Sequence, residues 1–343
     1  MALADVPAEL VQRAETRIGS FLRGDKYRID GILGIGGMGA VFAATHRNGM
    51  RVAVKVLHAD LSRVEEVRRR FLREGYIANK VDHPGIVRVL DDDVDSDGST
   101  FLVMELLTGQ TLEEEYRAAR GRVSVQRIAD VTLSLLEVLG AVHAEGIVHR
   151  DVKPDNVFIT DKGVLKLFDL GIARLVDSRA ITAAGQQMGT PEYMAPEQAA
   201  GNVRDVDARA DLYSVGAMMF SLLTCKPVHE ARTQMERMVF AATRPARSIF
   251  DVWPEVPPAL ANVIDVALDF DKVKRWPSAR DMHTALARTM EVFRKQGAPA
   301  SEMIASTEPL PLRQGTGTLL VGRMSLQPES ESEESAIPLV KKQ

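Results

Sequence analysis

Three side chains that carry oxygen donors stand close together in two stretches of this sequence. Asp151 and Asn156 belong to the run HRDVKPDN, and Asp169 follows Asn156 by thirteen residues, within Asp-Leu-Gly. Amide and carboxylate oxygens suit Mg²⁺, which fills its other coordination positions with water and substrate phosphate. Asp151 could accept the proton of a substrate hydroxyl group, and Lys153 could face a transferred phosphoryl group. Each residue alone is also explained as a solvated loop charge, but the combination favours one shared site.

A glycine-rich stretch, Gly34-Ile-Gly36-Gly-Met-Gly39, comes much earlier in the chain. Glycine lets backbone N–H groups approach phosphate oxygens without a clash, which suits dinucleotides and ATP alike. A dinucleotide-binding fold needs a strand, the glycines and then a helix, whereas here a strand-like segment containing Val41 follows. The glycines are therefore predicted at the tip of a β-hairpin, which excludes a dehydrogenase. From this motif alone, a glycine-rich hairpin without a ligand stays open.

A lysine at position 55 lies in an apolar, alternating segment, Val52-Ala-Val-Lys55. Alternation places Lys55 and Ala53 on the same face of a strand, so the ammonium group needs a partner anion unless it reaches solvent from a strand edge. Glu74, in the charged segment that follows, is the expected partner. Lys55 could then hold two phosphate groups while Glu74 fixes its orientation.

The remaining pattern predicts the elements that position these side chains. Between Tyr27 and Val103, short strand-like segments with glycine-bearing turns predict a mostly antiparallel sheet, interrupted by one helix at about 63–80. After Gly109 the pattern becomes mostly helical. Helices are predicted at 6–22, 126–146, 208–224, 259–270 and 278–295. The helix at 208–224 is apolar nearly all round, which indicates a buried position.

Composition limits the class of protein. The chain has 343 residues, a net charge of −4 and a single cysteine, so it holds no intramolecular disulfide framework. No apolar run approaches twenty residues and no signal peptide is recognisable, so we expect no membrane span. The near-neutral charge gives no reason to expect nucleic acid or an anionic membrane surface as a partner.

The motifs, in their order along the chain, resemble those of the protein-kinase catalytic domain. The glycine loop, Lys55, the HRD-containing loop, Asp-Leu-Gly and Ala195-Pro196-Glu197 all appear in the order that the family has. HRDVKPDN and GTPEYMAPEQ are most similar to bacterial serine/threonine kinases of the eukaryotic-like, Hanks type. The resemblance implies an α+β, two-lobed fold, with an antiparallel sheet and one main helix in the small lobe and a larger, mostly helical second lobe.

The resemblance also implies the domain boundaries. We expect a helical extension at 1–26, a kinase domain at 27–292 and a Ser/Thr/Pro/Glu-rich, disordered tail at 293–343. The kinase domain divides into an N-terminal lobe at 27–107 and a C-terminal lobe at 108–292. The extension is interpreted as a helix that caps the neighbouring domain, with a regulatory or dimer contact as the alternative.

The resemblance further implies a role for each matching position. Asp151 is the catalytic base, assisted by Lys153, and Asn156 and Asp169 are the Mg²⁺ ligands. Met104 is the gatekeeper of the adenine site, and Glu105 and Leu107 form the hinge. The residues that bind ATP are Leu33, Gly34, Gly36, Gly39, Val41, Ala53, Lys55, Glu74, Met104, Glu105, Leu107 and Phe158. Phosphoryl transfer would then rest on positioning and charge neutralisation.

Substrate class and regulation follow from the same resemblance. Lys153 and Thr190 match the residues that serine/threonine kinases place beside the catalytic aspartate, so Ser/Thr acceptors are expected. Arg150 is typical of kinases controlled by phosphorylation of the activation loop, and Thr182, followed by Ser178, is the preferred site. Leu170 replaces the usual phenylalanine after the metal-binding aspartate. Leucine has a similar reach, so we expect it to pack against His149 and the helix that bears Glu74.

Other expectations concern the rest of the chain. Asp211 falls in the buried central helix, and Arg275 is expected to pair with Glu197. The partners expected are protein substrates with Ser/Thr acceptors, phosphothreonine-binding proteins that read the tail, and a second copy of the chain. The location expected is cytoplasmic. Two alternatives stay open: a pseudokinase scaffold, which would need loss of Lys55, Asp151 or Asp169, and a small-molecule phosphotransferase, which would lack the Ala-Pro-Glu triplet.

Overall fold

A computed structural model describes residues 6–170 and 191–295 of the chain. Ser178, Thr182, Thr190 and the tail after Lys295 lie outside the described residues, so the expectations for them stay predictions. Within the described ranges, no helix is both long and apolar enough to cross a membrane.

The N-terminal lobe is built on a six-stranded antiparallel sheet with the order β1-β2-β3-β4-β6-β5. Its elements are α1 (Ala8–Glu15), β1 (Phe21–Leu22), β2 (Tyr27–Ile35), β3 (Gly39–His46), β4 (Arg51–Leu57), α2 (Ala59–Ser62), α3 (Glu65–Ala78), β5 (Val89–Val94) and β6 (Thr100–Glu105). One face of the sheet, with Phe42, Val54 and Phe101, packs against apolar residues of α1. On the other face, Leu102 packs against Phe71 of α3. The sheet therefore lies between two helices, and its second face also forms part of a cleft.

The predicted helix at 6–22 is correct only in its first half. Helix α1 ends at Glu15, and the chain then turns and forms β1, which pairs with Tyr27 and Arg28 of β2. Gly19, in the turn between α1 and β1, has a φ angle of +81°, a conformation that suits glycine. The helical spacing of Ile18 and Leu22 was misleading, since Ile18 is exposed and Leu22 is buried in the sheet.

The two edges of the sheet approach each other through side chains. Lys26, which precedes β2, forms an ion pair of 2.6 Å with Asp91 on β5, and the hydroxyl of Tyr27 donates to the same carboxylate at 2.8 Å. Arg17 reaches Asp97, in the turn after β5, at 2.7 Å. The segment after α1 thus ties the β5 edge to the start of β2, and the sheet is strongly curled.

The C-terminal lobe is arranged around two long helices. Its elements are β7 (Gly109–Thr111), α4 (Leu112–Ala118), α5 (Val125–Ala144), β8 (Val157–Thr160), β9 (Leu165–Leu167), α6 (Pro196–Ala199), α7 (Ala208–Thr224), α8 (Gln234–Thr243), α9 (Pro258–Ala267) and α10 (Ala279–Lys295). The hydroxyl of Ser124 caps α5 by accepting from the N–H of Arg127 at 3.2 Å. Helix α7 has the bounds that its pattern predicts, and it is buried along nearly its whole length.

A second sheet, with the order β7-β8-β9, was not predicted from the sequence. Strand β8 begins directly after Asn156, and β9 ends two residues before Asp169. This hairpin therefore joins the two loops that carry the candidate metal ligands. Gly109 is required in strand β7, because a Cβ atom there would lie 2.1 Å from the carbonyl oxygen of Ile159 on β8.

Candidate active site

A cleft with an empty volume of about 1050 Å³ lies between the two lobes and is open to solvent. Nine of the twelve residues predicted to bind ATP line it: Leu33, Val41, Ala53, Lys55, Glu74, Met104, Glu105, Leu107 and Phe158. Both predicted metal ligands, Asn156 and Asp169, also line it. The structure therefore brings together, in one cavity, side chains that the sequence spreads over more than 130 residues.

The glycines lie at the hairpin that joins β2 and β3, as the sequence predicts. Gly34 pairs with Val41, and the N–H of Gly36 donates to the carbonyl of Gly39 at 2.8 Å. These three glycines do not contribute to the cleft lining. Gly39 also has a structural cause, since a Cβ atom there would lie 2.1 Å from the carbonyl oxygen of Val56 on β4.

Lys55 lies at the inner end of the cleft between two carboxylates. Its ammonium group is 3.3 Å from Glu74 on α3 and 2.6 Å from Asp169 in the C-terminal lobe. Ala53 also lines the cleft, so the predicted alternation along β4 is confirmed. The ion pair with Asp169 connects the two lobes directly.

The three charges shift one another's pKa values. Burial acts to lower the pKa of Lys55, but Asp169 and Glu74 outweigh it, and the pKa rises above its usual value. Burial raises the pKa of Glu74 to about 7 against the attraction of Lys55, and the neighbouring charge of Asp169 adds to the rise. Burial also opposes ionisation of Asp169, but Lys55 holds its pKa below the usual value. Lys55 therefore pairs with two carboxylates, and Asp169 is the one of the two that stays ionised.

The loop with Asp151 is closed by short-range hydrogen bonds. The amide group of Asn156 donates to the backbone carbonyl of Asp151 at 2.7 Å and to its carboxylate at 3.0 Å. Lys153 is buried and lies 3.4 Å from the same carboxylate. Lys153 also lowers the pKa of Asp169, so this loop and the Asp169 loop lie within electrostatic reach of each other.

The buried side chain of Asp211 fixes that loop from below. Asp211 of α7 accepts hydrogen bonds from the backbone N–H of His149 at 2.8 Å and of Arg150 at 2.7 Å, and it lies 2.8 Å from His143 of α5. Sequence reasoning noted the buried Asp211 but missed His143. An aspartate in an apolar helix and a histidine near the end of α5 were the available signals.

His149 connects the Asp151 loop to the Asp169 loop. Burial lowers its pKa despite nearby carboxylates, so the ring is neutral at pH 7. Its Nε2 atom is 2.8 Å from the carbonyl of Phe168, and its Nδ1 atom is 3.2 Å from the N–H of Asp151. We assign the proton to Nε2 because only this tautomer donates to the carbonyl and accepts from the N–H.

The comparisons with known proteins agree with this geometry. A family model described as the protein kinase domain matches residues 27–286. The chain belongs to the protein kinase family. A probable serine/threonine-protein kinase of Streptomyces coelicolor is 37% identical over 276 residues, which cover 78% of this chain and 40% of the relative. Serine/threonine-protein kinase Pkn1 of Myxococcus xanthus is 35% identical, with coverages of 88% and 44%.

Solved structures support the same conclusion. The crystal structure of the PknI kinase domain of Mycobacterium tuberculosis has a TM-score of 0.61 and 26% sequence identity, and the match covers 79% of this chain and 97% of that one. The predicted two-lobed α+β fold and the resemblance to bacterial serine/threonine kinases are therefore confirmed. The chain spans about two fifths of the length of the two curated relatives named above.

The predicted hinge has a support that the sequence did not reveal. The carboxylate of Glu105 is 2.6 Å from Lys166 on β9 and accepts from the N–H of Arg88 at 2.9 Å. The N–H of Glu105 donates to the carbonyl of Arg88 at 3.1 Å. Among the described residues, Leu107 makes no backbone hydrogen bond, which fits its predicted use for adenine.

Two further expectations for the kinase domain can be compared with the structure. The guanidinium group of Arg275 donates to both oxygens of Glu197, each at 2.8 Å, so this predicted pair is confirmed. Leu170 is buried in the core of the C-terminal lobe, and Ala78 of α3 packs against the same core. Leu170 and Ala78 both line the cleft, while direct packing of Leu170 against His149 and α3 stays a prediction.

The donor set fits Mg²⁺ held together with a nucleotide. Among the described residues, no three His, Cys, Asp or Glu side chains are grouped as a complete metal site. Asp169 and Asn156 both line the cleft and supply two hard oxygen donors. Mg²⁺ is commonly bound by one or two protein ligands, with substrate phosphates and water as the rest. The site therefore suits a metal that arrives with ATP.

Proposed function

We propose that this chain is a serine/threonine protein kinase that transfers the γ-phosphoryl group of ATP to Ser/Thr hydroxyl groups of proteins. The observation that carries the proposal is the ion pair of 2.6 Å between Lys55 and Asp169 at the inner end of the cleft. The Asp151 loop is held against the Asp169 loop by His149. The proposed phosphate-binding cation and the proposed metal-binding carboxylate line the same cleft. Asp151, the proposed base, is not part of that lining and stands on the adjoining loop.

In the proposed mechanism each group has one task. Lys55 binds the α- and β-phosphates, and Glu74 orients it. The acceptor hydroxyl oxygen forms a bond to the γ-phosphorus, the bond to the β–γ bridging oxygen breaks, and ADP leaves; Asp151 takes up the hydroxyl proton. Asn156 and Asp169 would hold Mg²⁺, which would neutralise negative charge on the phosphate groups. Lys153, buried beside Asp151, adds positive charge next to the transferred group.

The finer features belong to the same proposal. We propose an extension at 1–26, a kinase domain at 27–292 and a tail at 293–343, and a cytoplasmic location where ATP is available. Arg150 supports regulation by a phosphate on Thr182 or Ser178, because its buried Nε atom has no partner among the described residues. Phosphothreonine-binding partners and a homodimer complete the proposal, and Thr190 is proposed to contact Asp151 and Lys153.

Transfer of radiolabelled phosphate from ATP to the chain itself and to a generic acceptor protein tests this function. Asp151→Asn should lower kcat by about 10²–10⁴-fold, and Lys55→Met should abolish nucleotide-dependent transfer. Asp161→Asn, an exposed carboxylate on the β8–β9 turn, is the matched control and should keep full activity.

The label should appear on serine and threonine. Undiminished transfer by both Asp151→Asn and Lys55→Met would contradict the mechanism. A wild-type chain that binds ATP without any transfer would favour the scaffold alternative, and a labelled small molecule without labelled protein would favour a small-molecule phosphotransferase.

A further inference from the structure

A cluster of basic side chains lies in the C-terminal lobe, outside the residues that line the cleft. His229 stands in the segment between α7 and α8, Arg237 is on α8, and Arg244 and Arg247 follow the end of α8. Arg237 and Ala241 are four residues apart, so they share one face of this helix, and Arg244 follows its last residue in an extended conformation. Ala241 is fully buried, which means that this face is directed towards the body of the lobe.

Two of the guanidinium groups are held in place by aromatic rings. The guanidinium of Arg244 lies 3.6 Å from the centre of the Phe240 ring, and that of Arg247 lies 5.5 Å from the centre of the Phe220 ring. Arg247 also donates to the carbonyl of Pro227 at 2.7 Å. Its position is therefore fixed next to the segment that carries His229.

The cluster contains polar atoms that the protein does not satisfy. His229 is 8% exposed, and its Nε2 atom has no hydrogen-bond partner among the described residues. The Nε atoms of Arg237 and Arg247 are also buried and also have no hydrogen-bond partner among the described residues. Buried polar atoms without partners cost free energy, and two guanidinium donors and an imidazole nitrogen in one neighbourhood indicate a missing acceptor.

The cluster also carries more positive than negative charge. Glu230 pairs with Arg247 at 2.9 Å, while Glu236 accepts from the backbone N–H of Arg232. Arg237 and Arg244 form no ion pair within the described ranges. Arg237 and Arg244 are therefore two guanidinium groups without a partner carboxylate among the described residues.

The positive charge of the cluster affects the pKa of His229. Burial lowers the pKa of His229, and the nearby charges of Arg247, Arg244 and Arg237 lower it further. All three guanidinium groups are therefore close enough to act on one imidazole ring. A dianion in the cluster would balance the two charges and would favour protonation of His229.

We propose that His229, Arg237, Arg244 and Arg247 form an anion site that binds the phosphoryl group of a phosphorylated serine or threonine side chain. A phosphate monoester carries nearly two negative charges at pH 7 and three strong acceptor oxygens, whereas a carboxylate carries one charge. Guanidinium groups match phosphate oxygens in geometry and form short, charge-assisted hydrogen bonds with them. Arg244 is exposed and His229 is buried, so the site extends from the surface to the interior.

The proposal rests on the proposed function only for the origin of the phosphoryl group. One source is the chain's own segment PESESEES at 328–335, which has four glutamates and three serines. It begins 33 residues after Lys295, a length that spans up to about 110 Å. The other source is a separate phosphorylated protein.

Fluorescence anisotropy with synthetic peptides tests the site without any phosphoryl transfer. The full-length chain with Asp151→Asn is titrated against peptide 325–338 phosphorylated on Ser332, against the same peptide unphosphorylated, and against an unrelated phosphothreonine peptide. Arg237→Gln should weaken phosphopeptide binding about tenfold. Arg232→Gln, an exposed neighbour with the same loss of charge, should bind as the parent does.

Two further measurements keep the test independent of folding defects in the variants. Inorganic phosphate should compete with the phosphopeptide on the unsubstituted site, and the NMR-measured pKa of His229 should rise when the phosphopeptide binds. A preference for the tail peptide over the unrelated one supports the chain's own tail as the source, and equal affinity supports recognition of the phosphate alone.

Several results would overturn the site. These are equal binding of the phosphorylated and unphosphorylated peptides, no competition by phosphate, or equal affinity of Arg237→Gln and Arg232→Gln. Absence of kinase activity in the wild-type chain would overturn the proposed function and would leave this binding test unaffected.

Discussion

Asp211→Asn tests whether the catalytic loop is held by the buried carboxylate beneath it. The side chain of Asp211 is 0% exposed. One oxygen accepts from the N–H of Arg150 at 2.7 Å, and the other accepts from the N–H of His149 at 2.8 Å and lies 2.8 Å from His143. Asparagine has the same shape, but its NH₂ group must face donors wherever it points.

The expected cost follows from counting these bonds. If the asparagine oxygen faces Arg150, the contact with the N–H of His149 is lost; if it faces His149, the contact with Arg150 is lost. A hydrogen bond to a charged group contributes about 1.5–3 kcal/mol. We therefore expect the free energy of unfolding to fall by about 3 kcal/mol, which leaves a domain of ordinary stability folded.

The loss should reach the catalytic step as well. Asp151 follows His149 and Arg150 directly, so displacement of their backbone moves the proposed base. A displacement of about 1 Å can lower the rate about 10²-fold. We expect kcat for peptide phosphorylation to fall by this order, while the KM for ATP changes little, because Asp211 does not line the cleft.

Chemical denaturation and steady-state kinetics measure both effects on the same preparations. Asp207→Asn is the matched control, since Asp207 caps the same helix by accepting from the N–H of Arg209 at 2.9 Å. Asparagine caps a helix as well as aspartate does. The half-exposed ion pairs of Asp207 contribute less than about 1 kcal/mol to the free energy of unfolding. If Asp211→Asn changes stability and kcat no more than Asp207→Asn does, the buried carboxylate does not hold the loop.

Three further predictions concern the N-terminal lobe. Because the pKa of Glu74 is raised to about 7, its folded form binds a proton that the unfolded chain releases near pH 4.5, so stability should fall by about 3 kcal/mol between about pH 4.5 and 7. Glu74→Gln should remove this fall in pH-dependent denaturation, and parallel curves for the two proteins would contradict it. Leu10→Ala uncovers part of the sheet and should lower the free energy of unfolding by about 1–2 kcal/mol. The control Gln12→Ala, at an exposed position of the same helix, should change it by less than about 0.5 kcal/mol. Equal effects of the two variants would refute packing of α1 on the sheet. Ala78→Leu should fill the apolar end of the cleft and raise Tm by about 2 °C, and a lower Tm in calorimetry would show that no space exists there.

Strong periodicity explains which parts of the fold the sequence predicts well. The apolar run of α7 gives both of its bounds, and the alternation in β4 puts Ala53 and Lys55 on the cleft side. Both patterns persist over seven or more residues. The strands β7 and β9 have three residues each, which is too short for a period of two to stand out.

Long-range polar contacts set the other limit on prediction. Asp211 and His143 are individually conspicuous, but they are 68 residues apart, and no local pattern pairs them. Lys166 and Glu105 are 61 residues apart, and Lys166 resembles an ordinary surface charge in the sequence, so nothing local pairs it with the predicted hinge. The candidate site was accessible mainly because its motifs resemble those of a known family, whereas the supports beneath it needed the fold.

The two sides of the cleft are held by different forces, and this difference bears on nucleotide exchange. The side with Asp151 rests on a buried carboxylate, a neutral histidine and one continuous apolar core. The side with Lys55 belongs to a curled sheet whose core is split into two clusters. Its edges are joined by half-exposed ion pairs such as Lys26–Asp91, which contribute little each. A cleft that admits ATP and releases ADP needs one side to yield. We expect the small lobe to be the side that moves, because the Asp151 side is held by the buried network around His149.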